Sequence, residues 1–523
     1  VTNNNTYDEV PYPPQVFKET QPDKLATIAT VFGMQPPPVK QCRVLELGCA
    51  SGYNLMAMAQ AIPEGEFVGI DLSKQQIEVG NHCIDQLDLK NIKLQQQSVM
   101  ELDQGFGQFD YIIAHGLYSW VPKVVQEQIL HVCHQHLVTN GVAYISYNTY
   151  PGWHNQGMIR EMMLYHTQQF TETRQRIEQA KALLKFLVDA TEKNDDFYSL
   201  SLRTRLDQIK KTDDAYLFHE YLEENNEPIF LHQFVEHAQQ YDLQYLGDSN
   251  ISRMLPSNFP PKVAQKLSLF THQVQQEQYM DFLCNRAFRQ SLLCHKDIQL
   301  DRVLKPERMS QFYIAASIQP VSVTPNLTEN VVEAFNTNKG ERLLSTSSSL
   351  VKSVLLCLHE VWPQSLFFDD LMTRALARLN LTSAKLAAET KEEIGGLLFQ
   401  LYGKQQVELS VYPPQFTLTV SDRPQASPLS RLQAKFGNKI TNLRYEPVAL
   451  DSLAIYLLQH LEGDSDQSTL IEKVIQAVVE GKMTVTKTAE PGQVPNLDEL
   501  RRELTVHLGS VLQNLANQCL LIA

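Results

Sequence analysis

Short apolar runs alternate with amphipathic stretches through the first third of this 523-residue chain. The runs at 43–48, 66–71, 92–97, 109–114 and 141–147 are brief and apolar throughout, as parallel strands buried on both faces are. Between them, 52–62, 74–88 and 123–138 carry apolar residues at helical spacing, so the pattern predicts a Rossmann-like α/β sheet of βαβ units. After Trp153 the period turns helical. Asn155–Phe170 and Glu172–Glu192 read as an insert over the mouth of the sheet, at about 155–230. Gln233–Tyr241 reads as a helix, Leu243–Leu246 as a strand and Phe288–Leu293 as its partner, closing the sheet near 300 so that no edge stays open.

A different pattern begins at Pro306. Gln311–Ile318 and Val331–Phe335 alternate like strands, and Ser347–His359, Phe368–Leu379 and Ala387–Tyr402 are helical. With Val407–Leu409 they predict a winged-helix-like unit over 306–425. A Pro- and Ser-rich linker covers Pro413–Pro428. Three more helical segments, Ser452–Leu461, Ser468–Val479 and Leu497–Ala516, then repeat the plan over 426–523 and end in Leu520–Ile522.

Chemistry enters at the end of the first strand. Val44–Gly52 ends an apolar run in Glu46-x-Gly48-x-x-x-Gly52, and Val68–Asp71 ends the next in an acid 25 residues beyond Glu46, one βαβ unit away. The glycines permit a tight turn, and Asp71 at a strand tip is suited to the two hydroxyls of a ribose. A dinucleotide fingerprint would read Gly-x-Gly-x-x-Gly; here position 50 is Ala, and Glu46 would repel a pyrophosphate. The same acid attracts an ammonium. S-adenosylmethionine has an ammonium, a carboxylate and a ribose but no phosphate, and is the cofactor this pair selects.

Residues 1–300 resemble the class I S-adenosylmethionine-dependent methyltransferases, more narrowly the bacterial branch that carries a methyltransferase regulatory domain. The phrases that carry the likeness are Tyr7–Tyr12, Glu46–Asn54, His115–Pro122, Tyr147–Trp153, and Glu277–Leu283 continuing through Asn285 and Arg286 to Arg289. That branch includes rickettsial protein-lysine methyltransferases that modify outer-membrane proteins. The resemblance implies a domain over 1–305 with a regulatory-type segment at about 215–300, and methyl transfer to lysine of a protein partner. Methylation of a small molecule and a non-catalytic cofactor-binding scaffold are the alternatives.

In-line methyl transfer from a sulfonium needs positioning and exclusion of water, not a metal or a covalent nucleophile. Gly48, Cys49, Gly52 and Asn54 are expected around the amino-acid end of the cofactor, together with Glu46. Leu72 and Ser73, after Asp71, would border the adenine with Ser98, Val99 and Met100, where the superfamily often has an acid. Tyr12 would cover the cofactor. His115, at the tip of the fourth strand, would face both the cofactor and the acceptor, and Tyr118, Tyr150 and Trp153 would line an acceptor channel. Aromatic faces hold a cationic amine by roughly 0.5–2 kcal/mol each. Trp120, Asn148 and His154 are weaker candidates.

Composition narrows the partners. The formal charge is −14, and residues 1–170 hold nine Lys or Arg against sixteen Asp or Glu, so a nucleic-acid substrate is not expected. No apolar run approaches the ~20 residues of a membrane span. The eight cysteines include no Cys-x-x-Cys, and the first residues carry no secretion-signal pattern, so a cytoplasmic location with reduced thiols is expected. An oligomer is compatible with the sequence.

Overall fold

A computed structural model of the chain describes residues 10, 14–381, 388–483 and 496–523. Tyr12, the expected cover of the cofactor, lies outside the described residues.

The first half is a seven-stranded sheet in the order β3-β2-β1-β4-β5-β7-β6. Strands β1 (Arg43–Leu47), β2 (Glu66–Asp71), β3 (Ile92–Gln96), β4 (Phe109–Ala114) and β5 (Leu137–Asn148) run parallel. Their connections hold α2 (Tyr53–Ala61), α3 (Lys74–Leu87) and α4 (Lys123–His136), and α1 (Pro22–Val31) precedes the sheet. Strand β6 (Leu243–Asp248) forms the far edge, and β7 (Phe288–His295) lies between β5 and β6, antiparallel to both. The mixed α/β fold is that of the class I methyltransferases. The expected hairpin partners are thus real, and the fifth strand is longer than 141–147 suggested, beginning at Leu137.

The insert holds four helices, α5 (Trp153–Thr167), α6 (Thr173–Ala190), α7 (Phe197–Ile209) and α8 (Asp214–Tyr221), where two were expected. They have a core of their own that includes Ile159, Ile177, Leu184, Leu202 and Phe218. The chain returns through α9 (Leu231–Gln239), α10 (Pro261–Leu267) and α11 (Gln273–Cys284), which precedes β7.

Beyond Pro306, strands β8 (Tyr313–Ala315), β12 (Leu366–Phe367) and β13 (Glu408–Ser410) form one small sheet, and β9 (Ile318–Pro320), β10 (Glu333–Thr337) and β11 (Arg342–Thr346) another. Helices α12 (Ser349–Val361), α13 (Phe368–Arg378) and α14 (Ala388–Gly403) complete this unit. The C-terminal unit contains α15 (Pro428–Gln433), a hairpin of β14 (Lys439–Thr441) and β15 (Pro447–Ala449), α16 (Ser452–Gln459), α17 (Gln467–Val479) and α18 (Leu497–Asn517). No helix among the described residues is long and apolar enough to cross a membrane.

The change of pattern at 306 is not a break in the core. One apolar cluster runs from Leu25, Val44 and Met56 through Phe312, Ile314 and Leu355 to Leu432. Polar contacts cross with it: the buried Asp23 accepts from Ser410 Oγ and the Val411 and Tyr412 amides at 2.7–2.8 Å. A chain cut at 305 would expose this apolar face.

Close packing under the glycine turn makes a direct stability prediction. A Cβ on Gly80 in α3 would stand 2.6 Å from the Ser51 carbonyl oxygen, inside the turn itself. Gly80→Ala should therefore destabilise by about 1–2 kcal/mol even after the helix-propensity gain. Gly509→Ala, on an open face of α18 with nothing within 4 Å, should stabilise by up to about 1 kcal/mol. Thermal midpoints moving in opposite directions would bear this out.

Candidate active site

The turn after β1 takes an unusual backbone path, with Gly48 at φ 72°, Ala50 at 47° and Gly52 at 72°. Left-handed conformations suit glycine because it has no Cβ to clash. The Gly48 and Cys49 amides donate to the Ile70 carbonyl at 2.9 and 3.0 Å, lashing the turn to the end of β2. Gly52 serves packing: a Cβ there would meet Leu94 Cδ1 at 2.6 Å.

Both acids of the motif stand beside this turn. Asp71 Oδ2 accepts from the Ala50 amide at 2.9 Å and Oδ1 from the Ser73 amide at 2.8 Å, which fixes the carboxylate at the tip of β2 beside the glycine turn. Glu46 is buried. Its Oε1 accepts from Asn54 Nδ2 at 2.8 Å, while Oε2 has no hydrogen-bond partner among the described residues. Burial pushes the Glu46 carboxyl up to about 8; the bond from Asn54 opposes the rise and the Asp71 charge adds to it.

Asn54 also receives a segment absent from the expected set. Its Oδ1 accepts from the Phe17 amide at 3.0 Å and from Gln21 Nε2 at 3.3 Å, and the Phe17 ring lies 3.9 Å from the His115 ring. Residues 17–21 thus strap the cofactor end of the sheet. His115 follows β4, with Nδ1 2.8 Å from Tyr144 Oη and the Phe288 ring 6.1 Å away. Burial lowers its imidazole to about 4, so it is neutral at ordinary pH. Beyond it, Gly116 has nothing within 4 Å of where a Cβ would stand, which leaves open space at the strand tip.

Comparisons with known proteins agree with this geometry. Residues 38–200 match a methyltransferase domain, 213–295 a predicted methyltransferase regulatory domain, and 422–520 the PKMT C-terminal winged helix domain. The Rickettsia prowazekii protein RP789 is 37% identical over 529 residues, covering 100% of this chain and 94% of that protein. A second protein of that organism, RP028, is 44% identical over 245 residues, 47% of this chain and 98% of its own length. The structure of PKMT2 from Rickettsia typhi in complex with AdoHcy aligns with a TM-score of 0.85 at 33% identity, over 98% of this chain and 100% of that one.

The chain belongs to the PKMT family of class I methyltransferases. It is an enzyme that uses S-adenosylmethionine. The residues present fit that cofactor: the unpaired oxygen on the buried Glu46 carboxyl suits an ammonium, and Asp71 presents a carboxylate at the tip of the next strand.

The other expected residues fall into distinct places. Leu72 is largely exposed, and Ser73 Oγ caps α3 by accepting from the Gln76 amide at 3.1 Å. Ser98 accepts from the Met100 amide at 3.2 Å in a reciprocal cap with Glu101, beside half-buried Val99 and exposed Met100. Cys49 is buried, with its thiol pushed well up by burial.

On the acceptor side one expectation is corrected. Tyr118 is 0% exposed, with its hydroxyl 2.6 Å from His237 Nδ1 and its ring edge-on to Phe234 at 5.4 Å. A side chain enclosed on all sides offers no face to an acceptor, so Tyr118 is core. Tyr147 is likewise enclosed, stacked on Phe234 at 4.2 Å. Tyr150 is half-buried and stacks on the exposed His154 at 4.1 Å, whereas Trp153 is buried, 4% exposed, and meets Trp120 edge-on at 6.2 Å, so of the expected channel aromatics Tyr150 offers the open face. Asn148 is buried, with Nδ2 bonded to Asn226 Oδ1 at 3.1 Å. The strap residues Phe17, Thr20 and Gln21, and Phe288 on β7, were missed. No periodicity or motif marks the strap, and Phe288 reaches His115 only through strand pairing.

Glu46 makes the ligand-free protein sensitive to pH. Its folded carboxyl keeps its proton up to about pH 8, while the unfolded chain releases it near 4.5. The contribution to stability is therefore full below about 4.5 and is lost as pH rises to 8. Glu46→Gln cannot lose it. The thermal midpoint of Glu46→Gln relative to the native chain should rise by a few degrees between pH 5 and pH 8.5; a constant difference would mean that Glu46 is ionised in the fold.

Proposed function

We propose that the chain methylates lysine side chains of a protein acceptor, and that half-buried Tyr150, on the same loop as the buried Trp153, receives the lysine amine together with His115. The observation that carries this is His115 at the tip of β4, beside open space at Gly116 and 6.1 Å from the ring of Phe288, which pairs with Asn148 at the start of the loop that bears both aromatics. Likeness to PKMT2 and a PKMT winged-helix unit support a protein acceptor.

Bound S-adenosylmethionine supplies a methyl group on a sulfonium. Glu46 takes the ammonium end, with Gly48, Cys49 and Gly52 shaping the turn around it and Asn54 tying Glu46 to the strap. Asp71 takes the ribose, and Leu72, Ser73, Ser98, Val99 and Met100 border the adenine. Tyr12, outside the described residues, keeps the cofactor-covering role expected from the sequence. His115, held neutral by burial, puts no positive charge beside the lysine amine, which must lose its proton to solvent before it can attack. Tyr150 holds the alkyl stem, and the buried Trp153 packs the loop that carries it and keeps water out.

Residues 306–425 and 426–523 recruit or regulate the acceptor, in this reading, since remote contacts can orient it. The charge of −14 disfavours a nucleic-acid acceptor, and eight cysteines without a bridge suit a cytoplasmic enzyme.

Asp71→Ala should weaken S-adenosylhomocysteine binding at least tenfold by calorimetry, because hydrogen bonds to a charged acceptor contribute roughly 1.5–3 kcal/mol each. Unchanged affinity in a folded variant would take Asp71 out of the site. Incubation of a proteome extract with methyl-labelled S-adenosylmethionine, followed by mass spectrometry, should find label on lysine. Label confined to small molecules would overturn the protein reading.

A further inference from the structure

Behind the acceptor loop lies a fully buried ion cluster that methyl transfer does not itself require. Arg289 on β7, Glu277 and Asp281 on α11, and Asp248 on β6 are each 0% exposed. The Arg289 guanidinium forks onto Asp281, with Nε to Oδ2 at 2.7 Å and Nη2 to Oδ1 at 2.8 Å. Its Nη1 donates to Glu277 Oε2 at 3.0 Å and to Tyr245 Oη at 3.2 Å, and the Tyr245 hydroxyl donates to Glu277 Oε2 at 2.8 Å. Arg286 Nε stands 2.6 Å from Asp281 Oδ1.

The cluster brackets a connector of three residues, Asn285, Arg286 and Ala287, between α11 and β7. That connector is a template for the acceptor loop. The Thr149 amide donates to the Ala287 carbonyl at 2.9 Å, and the Gly152 amide donates to the Arg286 carbonyl at 2.8 Å. The fit is too close for any side chain at 152, where a Cβ would stand 2.6 Å from the Ala287 nitrogen. The next residue, Phe288, pairs with Asn148 across the sheet and sets its ring 6.1 Å from His115.

We infer that the Arg289 cluster is a positioning device for methyl transfer: it fixes the 285–287 connector, and the connector sets where Tyr150 and Trp153 stand relative to His115. Stability alone is a poor reason to keep such a cluster, because well-packed apolar residues replace buried ion pairs at little or no loss. Directional, bidentate bonds do what apolar packing does poorly, which is to hold one geometry. The segment matched to the methyltransferase regulatory domain thereby acquires a mechanical task in the same active site.

The inference rests on the proposed acceptor-side role of Tyr150 and Trp153, and the experiment separates the two. The chain has three tryptophans, and Trp362→Phe leaves only the Trp120–Trp153 pair as a fluorescent report on the loop. In that background Asp281→Asn weakens the fork; Tyr245→Phe is the milder variant, losing one hydroxyl with every charge kept. Both should raise acrylamide quenching of the pair, with S-adenosylhomocysteine affinity kept within about twofold. Turnover on the protein labelled by the parent enzyme should fall roughly tenfold for Asp281→Asn, at saturating cofactor and without a matching loss of cofactor affinity. Gly152→Ala, which leaves the cluster intact, should reproduce the loss. If Asp281→Asn does not fold, Tyr245→Phe decides, with a smaller fall expected.

Quenching unchanged in a folded cluster variant overturns the inference, as does cofactor affinity that falls in step with turnover. Trp153→Ala with full turnover would instead overturn the acceptor-side reading, whatever the cluster variants do.

Discussion

A fully buried guanidinium is among the most demanding groups a fold can enclose, because its desolvation must be met by well-placed anions. In this chain that group is Arg289, and the architecture of the catalytic half follows from where its anions come from. Asp248 arrives on β6, Glu277 and Asp281 on α11, and Arg289 itself on β7. All three elements must be in place before the charge is satisfied. The same requirement seats β7 between β5 and β6, puts Phe288 opposite Asn148, and closes the sheet beside the loop that carries Tyr150 and Trp153.

A second set of charges ties the cofactor end to the rest of the molecule. The strap that donates to Asn54 carries Lys18, whose Nζ pairs with Glu446 at 2.7 Å and Glu408 at 3.2 Å. Arg444 joins the same two acids, at 2.7 Å to Glu408 and 3.4 Å to Glu446. Lys18, Lys24 and Arg444 outweigh burial and hold the Glu408 carboxyl down to about 2. The anchor of the strap therefore lies on β13 and in the C-terminal unit, while its other contacts reach Asn54 and His115. With an apolar core continuous from Leu25 to Leu432, the units after Pro306 share a core with the sheet and anchor the strap through Glu408 and Glu446.

The cofactor motif was legible because its chemistry is local. Glu46, Gly48, Gly52 and Asp71 lie within one βαβ unit, and backbone conformation and strand polarity bring them together wherever that unit folds. The strands were legible for a related reason: burial on both faces leaves a run of apolar residues that no solvent-facing element shares. Insert helices α7 and α8 were not, since their apolar positions serve a small private core and their periodicity is weak.

Tyr118 marks the limit of that legibility. It stands three residues beyond His115 and looks, in one dimension, like part of the same loop. Its exposure depends on Phe234 and His237, more than a hundred residues later, which close over it and make it core. Phe17 and Phe288 show the reverse: two unremarkable aromatics become neighbours of His115 through the strap and through antiparallel pairing. By itself, then, the sequence determined the α/β class, the glycine turn and the two acids, because those depend on contacts within one βαβ unit or on uniform burial. Tertiary structure alone decided which aromatics are enclosed and which neighbour His115, which segment straps Asn54, and which backbone the 149–152 loop bonds to. Those outcomes rest on side chains far apart in the chain, and burial is a property of the packed neighbours rather than of the residue.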